Sequence, residues 1–133
     1  GQDFYVIRYA DVLLMRAEAL AEDNRVAEAY PLVNQVRARV SMPSVESVEG
    51  AGLTKEQMIA VIRHERRVEL ALEGLRFFDL KRWGQMEAAV QRAFTDPVAP
   101  YNPVYRGRRS EVFPIPLAEL DANRNLVQNP VWN

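Results

Sequence analysis

The run from Glu65 to Gly84, ERRVELALEGLRFFDLKRWG, puts charge where a helix needs apolar side chains. At about 100° per residue, Met58, Ile62, Glu65, Glu69, Leu72 and Arg76 fall on one stripe. A surface helix normally turns such a stripe to the core and keeps it apolar. Two glutamates and an arginine within it imply one of three things. They form a buried polar network, a metal or catalytic site, or a docking face.

The surrounding pattern is helical. A first helix is expected over about Tyr5–Glu22, where Tyr9, Leu13, Arg16/Ala17 and Leu20 recur at helical spacing. Asp23-Asn24 breaks it, since Asn tolerates the left-handed geometry that ends helices. A second helix is expected from Arg25 to about Val40, with Ala29, Leu32/Val33 and Val36 inward and Pro31 disturbing its start. So short a connection makes the two an antiparallel hairpin of the size used in tetratricopeptide-type repeats. Met42–Gly52 reads as a loop. Thr54-x-x-Gln57 is a capping-box signature, opening a third helix expected over Lys55–Glu73, with Gly74 after it. Shorter helices follow at Arg76–Trp83 and about Gln85–Phe94. Thr95–Ser110 is a long aperiodic loop. Val112–Pro116 must be extended, because each proline pushes its predecessor out of the helical region. Leu117–Ala122 makes one or two turns. The tail Asn123–Asn133 is irregular, with Trp132 as its anchor.

The expected fold is all-α: a tetratricopeptide-like helical hairpin in 1–41, helices including a long charged one in 53–94, and an irregular Pro-rich C-terminal third in 95–133. The 133 residues suit a single domain or a fragment of a longer protein. The leading Gly of GQDFYVIRYADV, entering helical pattern almost at once with no signal-peptide features, reads as a piece excised from a longer chain. Seventeen basic against eighteen acidic residues give a net charge of −1, so no field draws nucleic acid or an anionic membrane. The absence of cysteine removes disulfides and thiolate chemistry. No apolar run is long enough to span a bilayer.

Catalytic and metal readings of the charged stripe find few partners. His64 is the only histidine, and a zincin needs a second one where Val68 stands. A di-iron Glu-x-x-His motif would need an acid where Val61 stands. No metal site and no cofactor are expected. Glu65 and Glu69 lie one turn apart, near the carboxyl spacing of a retaining glycosidase, yet they sit mid-helix on a stripe facing other helices. No nucleophile elbow and no phosphate loop occur. The structural reading is a salt-bridge network. Like charges at i,i+4 repel, and buried without partners they are costly. Arg8, Arg16, Arg37 and Arg39 on the first hairpin can meet Glu65 and Glu69, while Arg76, Asp79 and Arg82 can extend the network. Arginine suits the task because its planar fork binds carboxylates bidentately.

A second chemistry lies in the long loop. Tyr101, Asn102, Tyr105 and Arg106, followed by Arg108 and Arg109, combine aromatic faces with hydrogen-bonding groups suited to sugars. RNA is a weaker option at this net charge. The alternative is a surface loop whose tyrosines lie on the core.

Three segments in order carry a resemblance: RYADVLLMRAEAL (Arg8–Leu20), ERRVELALEGLRFFDLKRW (Glu65–Trp83) and FPIPLAELDANRNLVQNP (Phe113–Pro130). Together they resemble the C-terminal part of the SusD/RagB family, and Asn34-Gln-Val-Arg37 is similar to the stretch after its first hairpin turn. Val131-Trp132 replaces the usual Gly-aromatic pair, and Arg124 stands where proline is common. The resemblance implies an outer-membrane lipoprotein that captures nutrients, often glycans, beside a TonB-dependent, SusC-like transporter. It implies an α-helical fold of tetratricopeptide-like pairs, several times longer than this chain, with the signal peptide and lipidated cysteine upstream. Family ligand contacts come largely from aromatic loop residues, many upstream of this segment. No motif transfers a binding residue, so Tyr101 and Tyr105 rest on chemistry alone. A protein-binding scaffold and a glycoside hydrolase using Glu65 and Glu69 are the competing expectations.

Overall fold

Apolar residues at helical spacing close around one another in the first half of the chain, and proline-locked segments are tied down by side-chain hydrogen bonds in the second. In the computed structural model, which describes residues 6–98 and 103–132, the elements are all helical. They run α1 Tyr9–Glu22, α2 Val26–Ala38, α3 Val45–Val48, α4 Lys55–Glu69, α5 Arg76–Arg82, α6 Met86–Thr95 and α7 Leu117–Ala122. Single 3₁₀ turns lie at Gly107–Ser110 and Pro130–Trp132. The contacts divide into two compact units, 1–76 and 77–133.

The first unit is built on α1, α2 and α4. Leu14, Val33, Val45, Met58 and Ile62 are its largest fully buried side chains, so each of these helices and α3 lends one residue or more to the core. The α1–α2 turn is closed by Arg25 N–H donating to the Leu20 carbonyl at 2.9 Å, with Asn24 in left-handed conformation at φ 60°. Asn tolerates that region better than most residues. At α4 both halves of the capping box form: Gln57 N–H donates to Thr54 Oγ1 and Thr54 N–H to Gln57 Oε1.

The structure corrects several sequence boundaries. α1 begins at Tyr9, with Val6 and Ile7 outside it and Arg8 extended at φ −110°, ψ 155°. Of its expected inward positions Leu13, Ala17 and Leu20 are buried while Tyr9 and Arg16 are exposed, and the buried face also takes in Asp11, Leu14, Glu18 and Ala21. α2 keeps Pro31 within it; that ring removes one backbone donor on an exposed part of the helix. The segment expected as a plain loop contains α3, capped by Ser44 and held from α2: Asn34 Oδ1 accepts from Val45 N–H at 2.8 Å and its amide donates to Glu46 at 2.7 Å. The Tyr30 hydroxyl accepts from Leu53 N–H at 2.9 Å, fixing the approach to α4. Most consequentially, α4 stops at Glu69 rather than Glu73. Leu72 then lies fully exposed at φ 66° and leaves the stripe altogether.

In the second unit 113–116 is free of helix, with Pro116 at φ −54°, ψ 141°, and the helical turn α7 lies where it was expected. Gln128 explains the rigidity of the extended piece: it accepts from Ile115 N–H at 2.9 Å and donates to the Ile115 carbonyl at 3.0 Å. Trp132 donates its indole N–H to the Val112 carbonyl at 3.1 Å, and the Arg109 guanidinium lies 5.3 Å from its ring centroid while donating to the Val131 carbonyl.

Candidate functional site

In the first unit the charged stripe meets arginines from both other helices. Glu65 and Arg37 are both buried and approach at 3.2 Å, Oε1 to Nε. The approach lacks hydrogen-bond alignment, so Coulomb attraction carries it. Glu69 accepts from Arg8 at 3.1 Å and from Arg39 at 2.9 Å. Arg8 does more than this. Its Nη2 donates to the Glu69 backbone carbonyl at 2.9 Å, and its Nη2 and Nε donate to Glu73 at 2.6 and 2.9 Å. The last carbonyls of a helix have no partner within it; here a guanidinium from outside supplies one, and the helix ends. Arg16 takes no part in this network: it is exposed, with its charge near Glu28.

Sequence reasoning missed a second buried pair. Arg66 donates to Asp11 at 2.7 Å, and both side chains are buried. Asp11 lies on the same face as Leu14, Glu18 and Ala21, a spacing visible in the chain, but acids are by default assigned to solvent. Of the remaining residues proposed for the network, Asp79 accepts from Arg82 at 3.0 Å within the second unit, and Arg76 closes the first.

The Arg8 hydrogen bonds hold the Glu73 carboxyl below its ordinary 4.5, and the two acids, Glu73 first, hold the Arg8 proton more tightly than an ordinary arginine's. The Asn34 amide lowers Glu46 likewise. A carboxyl with a depressed folded pKa contributes stability that is complete above its unfolded value and lost as pH falls through the folded one. Stability is therefore expected to hold from neutral pH down to about 4.5 and then decline. Urea titrations across that range check this. Glu73→Gln should flatten the decline, and an equally steep fall in both proteins would refute the assignment.

His64 is exposed. Among the described residues no group of three histidine or acidic side chains is placed to hold a metal ion, and no helix is long and apolar enough to cross a membrane.

Among the described residues, two concave surfaces lie in the second unit. Tyr101 and Asn102 lie outside the described residues. Tyr105 lines a groove of about 200 Å³ with Val90, Gln91 and Phe94 of α6 and Pro103 and Val104 of its own loop. Its hydroxyl donates to Glu111 Oε1 at 2.6 Å, and this bond, with burial, pushes the phenol pKa above its ordinary 10. Arg106 is exposed, and its backbone N–H donates to Ser110 Oγ at 2.8 Å, tightening the loop. A second cleft of about 160 Å³ lies between Phe77, Glu111, Phe113 and Trp132. Both concavities combine aromatic and aliphatic carbon with polar side chains, Gln91 in the first and Arg109, Ser110 and Glu111 in the second, a mixture that suits ligands with an apolar ring face and polar substituents.

Comparison with known proteins gives a consistent result. The profile of the SusD family matches residues 1–132. Two SusD-like proteins of Formosa agariphila are 33% and 37% identical over 131 residues, covering 96% of this chain and 25% and 24% of theirs. Crystal structures of a SusD superfamily protein from Bacteroides vulgatus and a SusD homolog from Bacteroides thetaiotaomicron each superpose with a TM-score of 0.78 at 34% and 36% identity. They cover 95% and 97% of this chain and 27% of their own length. The chain thus spans about a quarter of the length of the relatives it matches.

Proposed function

Because this chain belongs to the SusD family, we propose that it forms the C-terminal part of a nutrient-binding protein at the bacterial cell surface. The observation that carries this reading is the family match over 1–132. The nutrient is a glycan, the partner is a TonB-dependent, SusC-like transporter that receives it, and the anchor is an N-terminal lipid on a segment upstream. The mechanism is capture: aromatic faces take the apolar faces of sugar rings, and side-chain amides and guanidinium groups take hydroxyls. The Tyr105 groove is the part of that surface within the described residues, with Arg106 at its loop and Tyr101 and Asn102 preceding it in sequence.

The geometry supports binding over hydrolysis. A general acid must bring a proton to its substrate, whereas Glu65 is buried against Arg37 and Glu69 is held by Arg8 and Arg39.

Affinity electrophoresis of the intact protein through gels containing starch, xylan, mannan or laminarin tests the reading. Retardation by one of them is expected, with Tyr105→Ala weakening it about tenfold. Failure of all four, together with failure to co-purify a TonB-dependent transporter, would favour a protein-binding scaffold instead.

A further inference from the structure

Tyr105 and Glu111 stand six residues apart at the two ends of one tight loop, and the Tyr105 hydroxyl joins them. Tyr105 belongs to the groove and Glu111 to the neighbouring cleft. We infer that Glu111 is a positioning residue: by accepting the Tyr105 hydroxyl it fixes that ring as a wall of the groove, so that Tyr105 meets a ligand with its face and not with its hydroxyl. The inference rests on the reading that this groove takes nutrient.

Three observations support it. The 2.6 Å separation is that of a charge-assisted O–H···O⁻ bond, about twice as strong as a neutral one. A tyrosine has two side-chain torsions, and a ring tethered at both Cα and Oη loses freedom in both. Glu111 is itself held, its N–H donating to the Arg108 carbonyl at 3.0 Å beyond the 3₁₀ turn, while Arg106 N–H bonds Ser110 Oγ inside the loop. The backbone that carries both residues is therefore tied at each end of the loop.

The consequence is a statement about the ligand. With the phenol engaged, Gln91 is the other polar side chain lining the groove among the described residues. A groove of this size, below that of drug-sized pockets, suits one ring unit with an apolar face and a hydroxyl for the Gln91 amide.

The test reads Tyr105 directly, by ¹³C NMR of the intact protein labelled at tyrosine Cζ and ring carbons. Glu111→Ala should return the Tyr105 titration toward its ordinary value and raise its ring mobility in ¹³C relaxation. Unchanged mobility and titration would overturn the inference. On whichever of the four polysaccharides retains the unsubstituted protein, Glu111→Ala should weaken retention about fivefold, the factor expected for one hydrogen bond. Tyr105→Phe removes the same bond from its other end and should match it, with the double variant no worse than either. Glu111→Gln, which keeps an acceptor, should restore most of the retention. A Tyr105→Phe effect far larger than that of Glu111→Ala would mean that the hydroxyl touches ligand itself, and would also overturn the inference. If no polysaccharide is retained, the nutrient reading of the groove fails, while the relaxation and titration data still decide what Glu111 does to Tyr105.

Discussion

Replacing Arg66 with methionine is expected to cost about 3–5 kcal/mol of stability, the largest effect of any single substitution considered. Methionine fills much of the same volume, so the loss is electrostatic. Asp11 is 6% exposed and would keep its charge, or bind a proton, with its guanidinium gone. Urea denaturation followed by circular dichroism measures the shift. The double variant Asp11→Leu/Arg66→Met separates the two sources of cost, since a buried ion pair replaced by apolar residues is often neutral. It should recover most of the loss. A double variant as unstable as Arg66→Met would show that Arg66 acts mainly through other contacts.

Arg8→Ala should have the next largest effect, about 2–3 kcal/mol. The side chain is 29% exposed, so solvent screens part of its attraction. Against that, one guanidinium serves three acceptors: the Glu69 carboxylate, the Glu69 backbone carbonyl and the Glu73 carboxylate. Its removal strands a helix-end carbonyl and leaves Glu69, only 9% exposed, with Arg39 alone among the partners described above. Arg39 is 60% exposed, and Arg39→Ala should cost less than about 1 kcal/mol. Thermal melts of the two variants side by side give the comparison. Equal shifts would mean that Arg8 does not act as a helix terminator.

The segment before α1 and the turn after α4 are far apart in sequence, and the Arg8 contacts bring them together. That is why the end of α4 was unreadable from its own residues. LALEG has ordinary helical propensity up to its glycine, and Gly74 does adopt a positive φ of 79°. The helix nevertheless stops five residues earlier, at Glu69, because Arg8 satisfies its last carbonyl from outside. Leu72 shows the cost: a bulky residue in the left-handed region is a rare conformation, here sustained between the two acids that Arg8 holds. α3 is similar. Its serine cap was legible in principle, but its position is set by the Asn34 side chain of the second helix.

Other features were local and so could be read directly. The α4 capping box needs only Thr54 and Gln57, three residues apart. The proline-spaced Val112–Pro116 segment had no helical option. The inward apolar positions of α2 and α4 follow from spacing alone. The full width of the buried face of α1 did not, because an aspartate at 11 and a glutamate at 18 share it with Leu14 and Ala21.

The charged stripe divides along the same line. The sequence by itself determined that Glu65 and Glu69 would lie on the inner side of a helix, and its ordered motifs determined the family, because helical periodicity and local capping are properties of neighbouring residues. Only the tertiary structure decided which cations answer them: Arg37 for Glu65, Arg8 and Arg39 for Glu69, and Arg66 for an Asp11 that drew no notice. Ion pairing has a range of a few ångströms and no fixed separation along the chain, so its partners are chosen by how the helices cross. The same holds for Tyr105 and Glu111, where the loop's turn, and not its composition, brings a phenol to a carboxylate.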